Sequence, residues 1–153
     1  MVLTARTEAP SFELLDGQGN LHKLSDYDGQ TIVIYFYPKD DTPGCTKEAC
    51  SFRDNYQAYI DAGVEILGIS PDEVKSHKKF SEKYKLPFIL LSDPEHQICE
   101  AYGVWGLKKS FGREYEGIYR TTFIVGPKRN IKYVFKKVKP ADHSQEVLQA
   151  VMA

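Results

Sequence analysis

The chain of 153 residues has little that would place it in a membrane, on nucleic acid or in a disulfide-stapled scaffold. Its longest unbroken apolar run, Thr31 to Tyr37, is far too short to span a bilayer. The opening Met1-Val-Leu-Thr-Ala-Arg6 lacks the charged start and apolar stretch of a secretory signal, so a cytoplasmic location is expected. A formal net charge of -1 gives no electrostatic reason to bind nucleic acid or an acidic membrane. Lys136, Lys137 and Lys139 form a small basic cluster that reads as a solvated strand end. Cysteine is scarce. Three is an odd number, which argues against a secreted disulfide framework. The spacing of a four-ligand zinc site is missing, and the four histidines lie far in sequence from Cys45 and Cys50, so no metal is expected. No internal repeat, low-complexity segment or linker interrupts the chain, and its length suits one domain with a real core.

What is present concentrates between Tyr37 and Cys50, read as Tyr-Pro-Lys-Asp-Asp-Thr-Pro-Gly-Cys-Thr-Lys-Glu-Ala-Cys. The β-branched and aromatic run Thr31–Tyr37 predicts a buried strand, which Pro38 ends because it has no N–H for the ladder. Thr42-Pro43 predicts a helix start, with threonine at the N-cap and proline at the first helical position. Cys45 then falls in the first turn. Free backbone N–H groups and the positive end of the helix dipole favour a thiolate there. A cysteine is more often inert core than nucleophile. The helix-start position, a second cysteine at Cys50 and a polar, proline-fixed approach loop together favour a reactive sulfur.

The remaining pattern alternates strands and helices. Pro10–Leu15 and Leu21–Leu24 flank the turn Asp16-Gly-Gln-Gly-Asn20 and predict an N-terminal β-hairpin. The helix from Thr42 is expected to reach Asp61, with Phe52, Tyr56, Tyr59 and Ile60 inward and Gly63 closing it. Val64–Ile69 is the next strand. Ser70-Pro-Asp-Glu73 reads as a capping box opening a helix to Tyr84, with Val74, Phe80 and Tyr84 inward and His77 at the surface. Pro87–Leu91 predicts a strand, and Asp93-Pro-Glu95 starts a short helix carrying Ile98 and Cys99, the latter a core residue. Gly103 to Arg120 is aromatic, glycine-rich and charged, and reads as loop. Thr121–Val125 and Ile131–Phe135 predict a hairpin about Gly126–Asn130, and Asp142-His-Ser-Gln145 is a candidate cap for a final helix holding Val147, Leu148 and Val151. The expected class is α/β, a mixed sheet with helices on both faces.

Pro38, Thr42 and Cys45 match the Pro-x-x-x-Thr-x-x-Cys pattern, and on it the chain resembles the peroxiredoxins. The string Asp41-Thr-Pro-Gly-Cys-Thr-Lys-Glu-Ala-Cys50 is similar to their bacterioferritin comigratory protein, or peroxiredoxin Q, branch, and the resemblance runs from Ala9 to the final helix. It implies a thioredoxin-like fold, with strand order taken from the family. It also implies a peroxidatic Cys45, a resolving Cys50, and an arginine before a late strand, which Arg120 matches. Glu48 matches a glutamate that orients the arginine, while Lys39 and Lys47 are expected to face solvent. Thr42 would supply a hydroxyl near the sulfur and Pro38 would shield it from water. The implied reaction reduces hydrogen peroxide or organic hydroperoxides through a Cys45 sulfenic acid and a Cys45–Cys50 disulfide, recycled by thioredoxin or a similar dithiol protein. No metal, haem or flavin is required, and a monomer is expected, with a dimer as the alternative. Two other classes stay open: a thiol–disulfide exchange or holdase protein, for which the cysteine spacing is wider than Cys-x-x-Cys, and a binding module with an inert Cys45.

Overall fold

Alternation inside one central strand divides the core. The structure is a computed structural model that describes residues 2–136 and 138–152; Lys137 of the basic cluster lies outside the described residues. In β3 (Thr31–Phe36), Ile32, Ile34 and Phe36 point to one face of the sheet, and Val33 and Tyr35 to the other. All five are buried on both faces, as expected of a strand covered twice. β3 runs parallel to β4 (Val64–Ser70), which runs parallel to β5 (Ile89–Ser92). The N-terminal hairpin, β1 (Glu13–Asp16) and β2 (Leu21–Lys23), adds antiparallel to β5.

On the other side, β8 (Thr121–Val125) pairs antiparallel with β3, and β9 (Ile131–Phe135) with β8. The order is β2-β1-β5-β4-β3-β8-β9, a seven-stranded mixed sheet. Four helices cover the Tyr35 face: α1 (Pro43–Asp54), α2 (Tyr56–Asp61), α3 (Val74–Tyr84) and α5 (His143–Met152). Phe52, Tyr59, Phe80 and Val147 are their buried contributions. The opposite face is covered by α4 (Gln97–Ala101), through Cys99, and by Ala9 and Phe12 of the N-terminal segment. Helices on both faces and the N-terminal hairpin are as the sequence suggests.

Several elements differ from the sequence reading. The helix from Pro43 does not run unbroken to Asp61; it stops at Asp54 and restarts at Tyr56. Asn55 donates through Nδ2 to the Ser144 hydroxyl (2.7 Å), and Ser144 also hydrogen-bonds Ser51 (2.7 Å). The break is therefore set by α5 packing against the helix. Ile60, expected inward, is exposed. Ser70 is not a helix cap but the last residue of β4, its hydroxyl donating to Asp72 (2.7 Å), and α3 opens at Val74 behind Glu73. Strand β5 starts at Ile89 rather than Pro87.

His77 is not at the surface. It is fully buried, with Nδ1 2.7 Å from Asp40 Oδ2 and Nε2 2.9 Å from the Leu91 carbonyl. The stretch from Gly103 to Arg120 is not loop but a two-stranded hairpin, β6 (Trp105–Ser110) and β7 (Arg113–Ile118). Its charges hid it: Lys109 sits opposite Glu114 (3.5 Å), and the hairpin forms a sheet of its own that reaches the core only at its base, through Trp105 and Ile118, so alternation along it carries no continuous buried face. Among the described residues no helix is long and apolar enough to cross a membrane.

Gly68 in β4 is where the core is tightest. It lies between Tyr35 and Leu90 in register, and a Cβ there would fall 2.9 Å from Tyr35 Cζ and 2.8 Å from Leu90 Cδ2. Gly68→Ala is expected to lower stability by about 1–3 kcal/mol through overpacking. Urea unfolding followed by circular dichroism measures this, and an unchanged midpoint would refute the close fit.

Candidate active site

The topology explains how residues 75 positions apart meet. Because β8 runs antiparallel to β3 with Thr121 opposite Phe36, the start of β8 lies beside the end of β3. Arg120, just before β8, thus faces the loop that follows β3 and the helix start beyond it. That helix begins as its sequence dictates: Thr42 has extended backbone geometry, Pro43 is the first helical residue, and the Thr42 carbonyl accepts the first helical bond from Thr46 N–H (2.8 Å). The Thr42 side chain, however, does not cap the helix. Its hydroxyl turns back and donates to the Lys39 carbonyl (2.8 Å), closing the approach loop on itself.

Cys45 lies in the first turn with its side chain buried. Arg120 Nη2 donates to Cys45 Sγ at 3.3 Å, and Nη1 donates to Glu48 Oε1 at 2.7 Å. One guanidinium thus bridges the sulfur and a carboxylate on the next turn of α1. Gly44 permits the approach, since a Cβ there would lie 3.2 Å from Arg120 Nη2. Lys39 and Lys47 are exposed, as expected, and Pro38 is half-buried just past β3. Cys50 is half-buried on the same helix, and both cysteines are free thiols. Cys99 is fully buried; burial first, and then the nearby Asp93, push its thiol well above the ordinary range, as befits a core residue.

Glu48 is fully buried, and desolvation outweighs the pull of Arg120, pushing its carboxyl up to about 7. Its Oε2 has no hydrogen-bond partner among the described residues and lies 3.9 Å from His143 Nε2. The Tyr35 hydroxyl is a second buried polar atom without a partner, and burial pushes it well up.

Sequence reasoning missed how the approach loop is held. Asp40 is buried and accepts from Tyr37 Oη (2.6 Å) and Ser76 Oγ (2.8 Å) besides meeting His77. Asp41, with φ of 56°, accepts from Lys83 Nζ (2.7 Å) and Tyr84 Oη (2.9 Å). Both aspartates tie the loop to α3. Asp40, Asp72 and His77 also place three possible ligand atoms within 4.8 Å of one another. Those atoms are taken up by mutual and neighbouring hydrogen bonds, with Asp72 Oδ2 accepting from Asp40 N–H (2.8 Å) and Ser70. The only sequence trace of this clamp was the Asp40-Asp41 pair in the loop.

The raised Glu48 carboxyl has a definite sign. Its folded value lies above the ordinary 4.5, so its contribution to stability is fully present below about pH 4.5 and is lost as pH rises through about 7. The thermal stability of Glu48→Gln relative to the parent should therefore rise as pH increases from 5 through about 7, whatever the loss of the Arg120 pair costs at every pH. Melting temperatures across pH 4–9 test this; a difference independent of pH would refute the assignment.

Comparison with known proteins agrees with this geometry. Residues 5–134 match the model of the AhpC/TSA family. Peroxiredoxin Bcp of Bacillus subtilis is 48% identical over 151 residues, covering 99% of this chain and 96% of the relative. Peroxiredoxin Bcp of Escherichia coli K12 is 45% identical over 146 residues, covering 95% and 94%. The solved bacterioferritin comigratory protein of Xanthomonas campestris superposes with a TM-score of 0.91 at 38% identity, covering 97% of each chain. The thioredoxin-like fold, the family model and these full-length relatives place the chain in the AhpC/TSA family as a peroxiredoxin of the bacterioferritin comigratory protein, or peroxiredoxin Q, branch.

Proposed function

We propose that this chain reduces peroxides through Cys45, and that the Arg120 contact to Cys45 Sγ is the observation that carries the reading. A permanent cation 3.3 Å from the sulfur, at a helix start, stabilises the thiolate that peroxide reduction needs. The thiolate attacks one peroxide oxygen in line with the O–O bond. The bond breaks, Cys45 becomes a sulfenic acid, and the departing oxygen takes a proton and leaves as water or an alcohol. The free N–H groups of the first turn and Arg120 supply donors where charge develops. Glu48 orients Arg120, and Pro38 shields the sulfur. Thr42, its hydroxyl donating to the Lys39 carbonyl, holds the approach loop, and the hydroxyl oxygen keeps lone pairs free to accept from a peroxide. The substrate class includes organic hydroperoxides as well as hydrogen peroxide; the Xanthomonas relative was solved in connection with alkyl peroxide reduction.

Cys50 then attacks the sulfenic sulfur, releasing water and forming a disulfide that thioredoxin or a similar dithiol protein reduces by exchange. Neither a metal nor an organic cofactor enters the cycle, because the sulfurs carry the electrons. The working unit is a single cytoplasmic domain acting as a monomer.

The helix must yield for this to happen. Five residues apart on α1, Cys45 and Cys50 have Cα atoms about 8.7 Å apart on faces roughly 140° apart. A disulfide needs Cα atoms within about 7 Å and converging side chains. The resolving step therefore requires local unwinding of the first turns of α1.

The roles separate by mutation. Cys45→Ser should abolish peroxide turnover with the fold intact, and Cys50→Ser should react once and then stall; thioredoxin-coupled turnover by Cys45→Ser would reverse the assignment. A single equivalent of peroxide should consume the Cys45 thiol, whereas an exchange protein or an inert binding module would leave it unoxidised. Amide exchange after oxidation should show lost protection from Thr42 to about Phe52. Unchanged protection in protein carrying the Cys45–Cys50 bond by mass spectrometry would rule out unwinding. Arg120→Ala should slow the peroxide step about ten- to a thousandfold. Lys39→Ala should do far less, and stopped-flow rates compare the two.

A further inference from the structure

Beneath the Cys45 site lies a buried histidine that the peroxidase reading does not use. His143, the first residue of α5, is fully buried, with its ring edge-on to Phe52 and Phe135. Three oxygens face its two nitrogens. Nδ1 is 2.8 Å from Oε1 of Glu146, a half-exposed carboxylate on the same helix. Nε2 is 2.6 Å from Thr122 Oγ1 on β8 and 3.9 Å from the otherwise unpartnered Glu48 Oε2 on α1. Among the described residues the remaining charged group facing this assembly is Arg120, which is bound through Glu48.

The ring has two acceptable states. When neutral, it donates from Nδ1 to Glu146 and accepts the Thr122 hydroxyl proton at Nε2; its Nε2 lone pair then faces a carboxylate oxygen. When protonated, it donates from both nitrogens, the Thr122 hydroxyl turns to accept, and Glu48 Oε2 gains the cation it lacks. Which state is lower in energy depends on the charge already in the site. Above about pH 7, where Glu48 is ionised, Arg120 and Glu48 balance each other while Cys45 is a thiol. With Cys45 as a thiolate, two buried anions share one cation, an arrangement a low-dielectric interior penalises.

We propose that His143 is a positioning residue that takes up a proton at Nε2 when the Cys45 thiol ionises, so that the buried site keeps its charge balance and Glu48 keeps its hold on Arg120. The S–H bond breaks and its proton leaves to solvent, and one proton from solvent enters the ring at Nε2, where the Thr122 hydroxyl turns from donor to acceptor, while Glu146 at Nδ1 stabilises the resulting cation. When the thiolate attacks peroxide and becomes a neutral sulfenic acid, the departing oxygen takes one proton from the medium and His143 is free to release its own. Burial lowers the His143 pKa, which keeps the ring neutral while the thiol is protonated.

The functional meaning of this coupling rests on the peroxidase reading, but its test requires no peroxide. The His143 ring is followed by NMR from pH 5 to 9 in the reduced wild-type protein and in Cys45→Ser, with His143→Gln used only to assign the signal. Reciprocal linkage requires that a thiolate at Cys45 raise the His143 midpoint, so the wild-type protein should titrate about half a pH unit or more above Cys45→Ser. Glu146→Gln removes a surface carboxylate without emptying the core. It should lower the His143 midpoint and raise the pH at which Cys45 is alkylated by iodoacetamide. Coincident His143 curves in wild type and Cys45→Ser would overturn the proposal. So would a Glu146→Gln protein whose His143 midpoint moves while Cys45 alkylation does not. Failure to consume peroxide with this coupling intact would instead count against the peroxidase reading alone.

Discussion

The double contact of Arg120 is the constraint on which the rest of the site depends. Its guanidinium is part-buried, and a buried charge is tolerated only where it is paired and hydrogen-bonded. Here both partners come from α1, one from its first turn and one from its second. The arrangement requires a helix start without a side chain at Gly44, a strand placing Arg120 at the same edge as the end of β3, and a carboxylate buried deeply enough to resist solvent. A lysine could not serve, since an ammonium cannot present two parallel donors to two acceptors in this way. Fold and site are therefore one problem: moving β8 by a single residue in register would turn the residue before it away from the sulfur.

What could be read from the sequence was local in origin. The start of α1 was legible because Thr42-Pro43 carries its own capping and φ preferences, and β3 because its apolar run needs burial wherever it lies. The end of α1 was not legible: Asn55 breaks the helix by bonding Ser144, a residue 89 positions away, and no local rule contains that contact. The β6–β7 hairpin escaped for a related reason. Most of its residues pair with each other, as Lys109 does with Glu114, and only Trp105 and Ile118 at its base reach the core, so the usual apolar alternation is missing. His77 looked like a surface histidine because its partner, Asp40, lies 37 residues away in the approach loop. Polar residues become buried only when a distant partner is supplied, and one-dimensional patterns do not show that partner.

The placement of the polar interior follows a division of labour within α1. Beyond Cys50 the helix is anchored by Ser51 and Asn55 to Ser144, by Phe52 stacked on Tyr35, and by the break into α2. Before it, among the described residues, the side-chain polar ties of the first two turns run to Arg120, which holds Cys45 and Glu48, and these two and Ala49 are buried. On the proposed cycle, this is the segment that must unwind. A helix anchored evenly along its length would resist resolution, and one unanchored throughout would lose the Arg120 geometry.

The proposed chemistry bears on the half before Cys50. Arg120 is attracted to the sulfur in proportion to the charge there, and a charge-assisted hydrogen bond is roughly twice as strong as a neutral one. On the proposed cycle, conversion of thiolate to sulfenic acid would remove that charge and add an oxygen inside a first turn where Cys45 is already buried. Both changes raise the energy of the folded turn relative to the unwound one, while leaving the Ser51–Asn55–Ser144 anchor untouched. No distant trigger is needed. On the proposed cycle, the guanidinium that favours attack on peroxide would lose its grip once attack is complete, and the opening that brings Cys50 to the sulfur would follow from the oxidation state of the sulfur alone.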